Sequence, residues 1–164
     1  MIPVVLGVDL GSRHTGYGVL QGAGDQIQCR AAGRIAPGAR LPLEARLCHI
    51  FDAVDRLIQD HRPQTLALEE IFLAANVRSA FVLGQVRGVV LLAAAQAGLP
   101  IFYYPALVVK KAVVGYGQAS KAQVQLMVER LLGIKTDCQH AADALAVGLC
   151  HLFHHSGRWV EVRE

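Results

Sequence analysis

Acidic side chains are scarce in this 164-residue sequence, 13 Asp plus Glu against 16 Lys plus Arg for a net charge of +3. That balance permits a polyanionic partner without requiring one. Long apolar runs are missing too. The longest, Val89 to Ala95, falls far short of the roughly 18–20 residues that cross a bilayer, so no membrane span is expected. Met1 leads directly into Ile-Pro-Val-Val, without a basic segment and apolar stretch before a cleavage site, and the expectation is a cytoplasmic protein. The cysteines, Cys29, Cys48, Cys138 and Cys150, lack the paired spacing of zinc sites and read as buried free thiols. Internal repeats, linkers and low-complexity stretches are likewise absent from the sequence.

What is present is apolar and patterned. A hydrophobic share of 53% with 18% charged residues predicts a compact globule, and the length suits one domain. Residues 1–155 are expected to form it, with 156–164, which lose the apolar stripe, as a flexible C-terminal tail.

Val4 to Val8 is an apolar run ending at Asp9-Leu10-Gly11, as in a buried central strand. His14 to Leu20 and Asp25 to Ile35, separated by a Gly22-Ala23-Gly24 turn, complete a three-stranded meander. Leu43, Leu47, Ile50, Phe51, Val54, Leu57 and Ile58 then recur at helical spacing. Gln64 to Glu70 returns to strand character, Asn76 to Gln96 reads as a long helix ended by Gly98 and Pro100, and Ile101 to Tyr104 as a strand. Helices are predicted over Ala106 to Val114, from a Ser120 cap to about Leu132, and over Gln139 to His154. The order β-β-β-α-β-α-β-α-α-α implies an α/β fold. Its mixed five-stranded sheet would carry helices on both faces, because strands joined by helical crossovers run parallel.

With so few acids, their positions matter. Asp9 closes an apolar strand, where a carboxylate is desolvated unless a cation or donors compensate it. A plain turn aspartate ahead of Gly11 fits the strand pattern equally well. Glu69 and Glu70 close a second apolar strand, and side-chain alternation lets only one of them share a face with Asp9. His140 and Asp143 lie three apart on one face of the last helix, although a first-turn aspartate is favoured there by the helix dipole alone. Oxygen donors of this kind suit Mg²⁺ or Mn²⁺. Such a cluster could hold the ion pair used in phosphodiester hydrolysis.

The segments Gly7-Val-Asp9-Leu-Gly-Ser-Arg-His-Thr-Gly-Tyr-Gly18, Leu68-Glu69-Glu-Ile-Phe72, Leu83-Gly-Gln-Val-Arg-Gly88, Val109-Lys110 through Val114-Gly-Tyr-Gly117, Ser120-Lys121 and Ala141-Ala-Asp143-Ala-Leu-Ala146 resemble the RuvC family of Holliday junction resolvases. The likeness runs in order from about residue 4 to 154. It implies a ribonuclease H-like fold, a homodimer, and metal-dependent nicking of four-way DNA junctions at two symmetric positions, with a branch-migration complex (RuvA and RuvB) as partner. Carried over, the active carboxylates are Asp9, Glu69 and Asp143. Glu69 is chosen because it precedes Phe72 by three residues, as the family pattern has it. His140 takes the place of a further acidic ligand, and Leu10 stands where a proline is common.

Lys110 and Lys121 match family lysines beside the active centre, where a cation would hold the scissile phosphate. Arg78, Arg87 and Lys111 are weaker candidates for backbone contact. Phe72 matches an aromatic implied to stack on or wedge between bases, and Tyr116 in its Gly-flanked loop could stack similarly. Gly84 and Gly88, four apart on one helix face, suggest a close-packed partner, and the likeness favours a dimer seam. A neighbouring element of the same chain would serve as well. Two rival readings remain at this stage. One is a noncatalytic junction-binding module. The other is an actin-like nucleotide phosphotransferase, whose first phosphate loop Asp9-Leu-Gly-Ser12 with Gly16 also resembles.

Overall fold

A computed structural model describes residues 2–11, 13–70 and 76–155. Phe72 and the 156–164 tail therefore lie outside the described residues. The chain opens with β1 (Val4–Asp9), β2 (Thr15–Ala23) and β3 (Gln26–Ile35), continues through α1 (Leu43–His61), β4 (Thr65–Glu69), α2 (Val77–Gln96) and β5 (Ile101–Tyr104), and closes with α3 (Ala106–Val114), α4 (Lys121–Leu132) and α5 (Gln139–His155). The sheet order is β3-β2-β1-β4-β5, with β1, β2 and β3 antiparallel and β4 and β5 parallel to β1. This is the ribonuclease H-like arrangement that the resemblance implies.

Strand alternation sorts the core into two layers. Val4, Leu6, Val8, Leu66 and Leu68 pack with Ile50 and Val54 of α1 and Val86 and Val90 of α2. Val5 and Ala67 point the other way, towards α3, α4 and α5. Helices thus cover both faces, as expected. Ser120 caps α4 through a complete capping box with Gln123, a local signal worth about 1 kcal/mol.

Four details differ from the sequence-based expectations. The first hairpin is tighter, since β2 runs on until Ala23 pairs with Gln26. Gly24, at φ +60°, and Asp25 alone make the turn, because a two-residue loop matches strand twist best. Helix α5 is buried on nearly every side rather than along one stripe: Ala141, Ala142 and every residue from Ala144 to Leu152 are buried. The cause is position, since α5 packs on β1 and β2 and is roofed by α3 and α4. All four thiols are free, yet only Cys150 is buried, and Cys48 is exposed on α1.

The fourth concerns α2, which is apolar on two sides. Val86, Val90, Ala93 and Ala94 form its core face. Val77 and Phe81, which are 68% and 72% exposed, continue through Gly84 and Gly88 to exposed Leu92 on the opposite side. A Cβ added to either glycine would meet nothing within 4 Å, so no described element of this chain is the close-packed partner. Among the described residues α2 is also the only helix long and apolar enough to cross a membrane by length and composition.

Candidate active site

Parallel pairing of β1 with β4 sets Val8 beside Leu68, so the next residues, Asp9 and Glu69, end adjacent strands at the same edge of the sheet. Both have the parity of Val5 and Ala67, which face α5. Glu70 has the opposite parity, and its backbone N–H donates to the Tyr104 carbonyl. The choice between the two glutamates, open to alternation alone, is settled by register: Glu69 shares a face with Asp9.

Helix α5 brings the remaining groups, and glycines let it come close. Gly7 pairs with Gly18, and Asp9 with Gly16, so β1 and β2 present a bare strip of backbone. A Cβ on Gly7 would lie 2.2 Å from the Ala144 carbonyl oxygen, and one on Gly16 would lie 2.0 Å from that of His140. Only hydrogen fits at either place. The first turn of α5 is thereby pressed against the end of β1, and His140 Nδ1 lies 3.0 Å from Asp9 Oδ2.

Asp9, Glu69 and Asp143 line one cavity of about 180 Å³ together with Lys110 and Lys121. Gln139 Nε2 donates to Asp143 Oδ1 at 2.8 Å, and Lys121 Nζ stands 3.5 Å from Asp143 Oδ2, so both carboxylate oxygens have donors. Burial, opposed by the His140 hydrogen bond and reinforced by repulsion from Asp143, raises the Asp9 pKa above its usual value. Burial and then repulsion from Asp9 and Asp143 do the same for Glu69, with Lys121 and Lys110 acting against the rise. Three carboxylates against two lysines line the pocket, an excess of negative charge that an added cation would relieve.

Three carboxylates from three elements form a hard-oxygen donor set suited to a divalent cation. Among the described residues, however, no three His, Cys, Asp or Glu side chains converge closely enough to hold an ion as they stand. The set fits such an ion by chemistry and by electrostatics.

The other sequence candidates are dispersed. Lys111 and Arg78 are exposed and do not line the carboxylate cavity. Arg87 lies over the Tyr103 ring, 4.9 Å from its centroid, a cation–π contact on the chain itself. Tyr116 is 46% exposed beside Gly115 at φ +96°, in a loop next to α3. Two contributors went unnoticed in the sequence. Gln139 was legible only as the helix start, and His14, whose ring centroid is 5.6 Å from that of His140, only as a strand residue. The alternating glycines Gly16 and Gly18 were the visible signal of the close α5 approach.

A family model described as crossover junction endodeoxyribonuclease RuvC matches residues 5–151. The crossover junction endodeoxyribonuclease RuvC of Koribacter versatilis is 46% identical over 151 residues, covering 90% of this chain and 91% of that protein. Its counterpart in Magnetococcus marinus is 47% identical over 149 residues, covering 90% and 83%. The structure of T. thermophilus RuvC in complex with a Holliday junction substrate superimposes with a TM-score of 0.89 at 34% identity, over 94% of this chain and 95% of that one. The yeast mitochondrial Holliday junction resolvase Ydc2 shares the fold at a TM-score of 0.62 and 9% identity, over 94% and 83% of the two chains.

Proposed function

The chain belongs to the RuvC family of crossover junction endodeoxyribonucleases, and from that premise we propose that it binds four-way DNA junctions as a homodimer and hydrolyses one phosphodiester on each of two opposed strands, in recombination and repair. The observation that carries the reading is the shared cavity of Asp9, Glu69, Asp143, Lys110 and Lys121 at the sheet edge. A passive binding module gives no reason to line one cavity with three carboxylates against their mutual repulsion.

Asp9, Glu69 and Asp143 would hold Mg²⁺ or Mn²⁺, with two ions per subunit. Such ions supply an activated water and charge stabilisation at the leaving oxygen. The residues do the rest. Ionised Asp9 can only accept a hydrogen bond, so His140 Nδ1 carries the proton in their 3.0 Å contact and Nε2 is left as the ring's acceptor. His140 then acts through Nε2, as a ligand or as a proton acceptor. Lys110 and Lys121 neutralise the scissile phosphate from the α3 and α4 side of the cavity, where Lys121 remains 76% exposed and free to swing from Asp143 to a phosphate oxygen.

The open apolar side of α2, from Val77 and Phe81 through Gly84 and Gly88 to Leu92, is the proposed dimer seam. A two-fold axis there would match the symmetry of the junction. Tyr116, Arg78 and Lys111 are proposed DNA contacts outside the cavity, Phe72 is a further proposed DNA contact, residues 1–155 form the nuclease domain, and the protein works in the cytoplasm with a branch-migration complex (RuvA and RuvB).

The test is cleavage of a synthetic four-way junction beside linear duplex, with and without Mn²⁺, for wild type and Asp9→Asn. Wild type should nick only the junction, symmetrically and only with the metal, while D9N binds the junction without cutting it. A D9N protein that cut at the wild-type rate would remove Asp9 from the chemistry.

A further inference from the structure

At His14, whose ring neighbours that of His140, lies a second cavity of about 520 Å³ lined by Arg13, His14, Pro37, Ala39 and Arg46. It differs in kind from the first. Two guanidinium groups and an imidazole face it, and no carboxylate is among its lining residues.

Its walls come from three places. Arg13 and His14 follow the loop after β1, where Gly11 packs so closely on the His14 carbonyl that a Cβ there would lie 2.1 Å from the oxygen. Arg46 projects from the first turns of α1, and residues 37–39 close the third side. Arg34 lies next door, paired in register with Gly16, which pairs in turn with Asp9. The cavity is joined to the carboxylates by a short chain of contacts. His14 approaches His140 at 5.6 Å between ring centroids, and His140 touches Asp9 at 3.0 Å.

We propose that this basic cavity is a phosphate-binding site for the nucleic-acid backbone, in which Arg13 and Arg46 hold a phosphate other than the one being cut. The inference rests on the nuclease reading above and adds a second anchor to it. Guanidinium groups match the planar pairs of phosphate oxygens better than any other side chain. His14 Nδ1 is buried without a hydrogen-bond partner among the described residues, and a phosphate oxygen would give it one. Burial first, and then the charges of Arg34, His140 and Arg13, hold the His14 imidazole below its ordinary pKa. Lys110 and Lys121 come from α3 and α4, which pack on one face of the sheet, and Arg46 from α1, which packs on the other, so a strand held by both cavities would be gripped at two points. Such a grip fixes the scissile bond in register without touching it.

The test compares Arg13→Gln and Arg46→Gln with wild type for binding of a four-way junction in Ca²⁺ across a salt series, and for cleavage in Mn²⁺ at saturating protein. Each variant should bind about tenfold more weakly at 0.1 M salt, with the log–log salt slope reduced by about one. The cleavage rate at saturation should fall as well, by several-fold, because the scissile bond loses part of what sets its register. Unchanged affinity and slope in both variants overturn the proposal. So does weaker binding at an unchanged slope, which marks a folding defect, and R13Q guards against that outcome because Arg13 is exposed. Failure of the nuclease reading looks different, since wild type would then neither bind nor cut the junction. Inorganic phosphate then decides the pocket alone: amide NMR shifts at residues 13, 14 and 46 that R46Q abolishes support it, and their absence overturns it.

Discussion

Replacing Gly16 by alanine tests whether the site depends on one close approach of strand and helix. An added Cβ would lie 2.0 Å from the His140 carbonyl oxygen and 2.5 Å from its carbon, whereas real Cβ contacts essentially never fall below 3.0 Å. The obstruction is backbone, so no side-chain rotation relieves it. Strand β2 and helix α5 must part by about 1 Å, an overpacking that costs about 1–3 kcal/mol. For a chain of this length that lowers Tm by about 3–10 °C. The same displacement stretches the 3.0 Å contact between His140 and Asp9 beyond hydrogen-bonding range. A misplacement of about 1 Å in catalytic groups commonly costs about a hundredfold in rate. Differential scanning calorimetry and single-turnover junction cleavage, measured below the lowered Tm, read the two consequences separately. G16A that melts and cleaves like wild type would falsify the claim that bare backbone at β2 seats the start of α5. Loss of stability with full activity would show instead that the helix shifts as a unit and carries its side chains back into place.

Three further outcomes follow from the same geometry. The Glu69 pKa is raised, so its proton is held more tightly in the folded state. Stability from that source is present below the ordinary value of 4.5 and is lost as pH rises through the raised value. In metal-free buffer at pH 7, E69Q should resist urea better than wild type, with the gap closing in acid; a less stable E69Q at pH 7 would contradict the buried repulsion. His151 is 4% exposed, hydrogen-bonded to Tyr104 and Thr65, and held down to about 4 from 6.5 by burial and by the charges of His155 and His154. Its contribution, about 3 kcal/mol by linkage, is present above 6.5 and lost as pH falls through 4; H151Q should flatten the acid limb of a pH–stability curve, and an unchanged limb would refute this. Replacing Gly84 by leucine on the open side of α2 should leave the monomer folded and raise the dimer dissociation constant at least about tenfold, measured by sedimentation equilibrium. A G84L dimer as tight as wild type would place the seam elsewhere.

Much of the fold was legible because its signals are local. The continuous apolar run of β1, the helical stripe of α1, the Ser120 cap and the glycine stops each act within a few residues, and the structure keeps them to within two or three positions. The two-sided apolarity of α2 could be read only as helix, since a face without a partner in the chain looks like a core face. The cysteines misled for a related reason. Thiol burial depends on where α1 and β3 lie on the globule, which no spacing reports.

By itself, then, the sequence determined the order of elements, the acids and lysines available for chemistry, and the family to which the chain belongs. Tertiary structure decided which of them meet. Parallel register selected Glu69 over Glu70 for the face shared with Asp9, and glycine backbone on β1 and β2 let α5 deliver His140 and Asp143 across a separation of more than a hundred residues. It also set Arg46 of α1 against Arg13 and His14, a juxtaposition without any sequence signature. The physical reason is common to all three. Strand parity, close backbone contact and the meeting of distant charges are properties of packed elements, and they do not exist until the sheet and its helices have closed on one another.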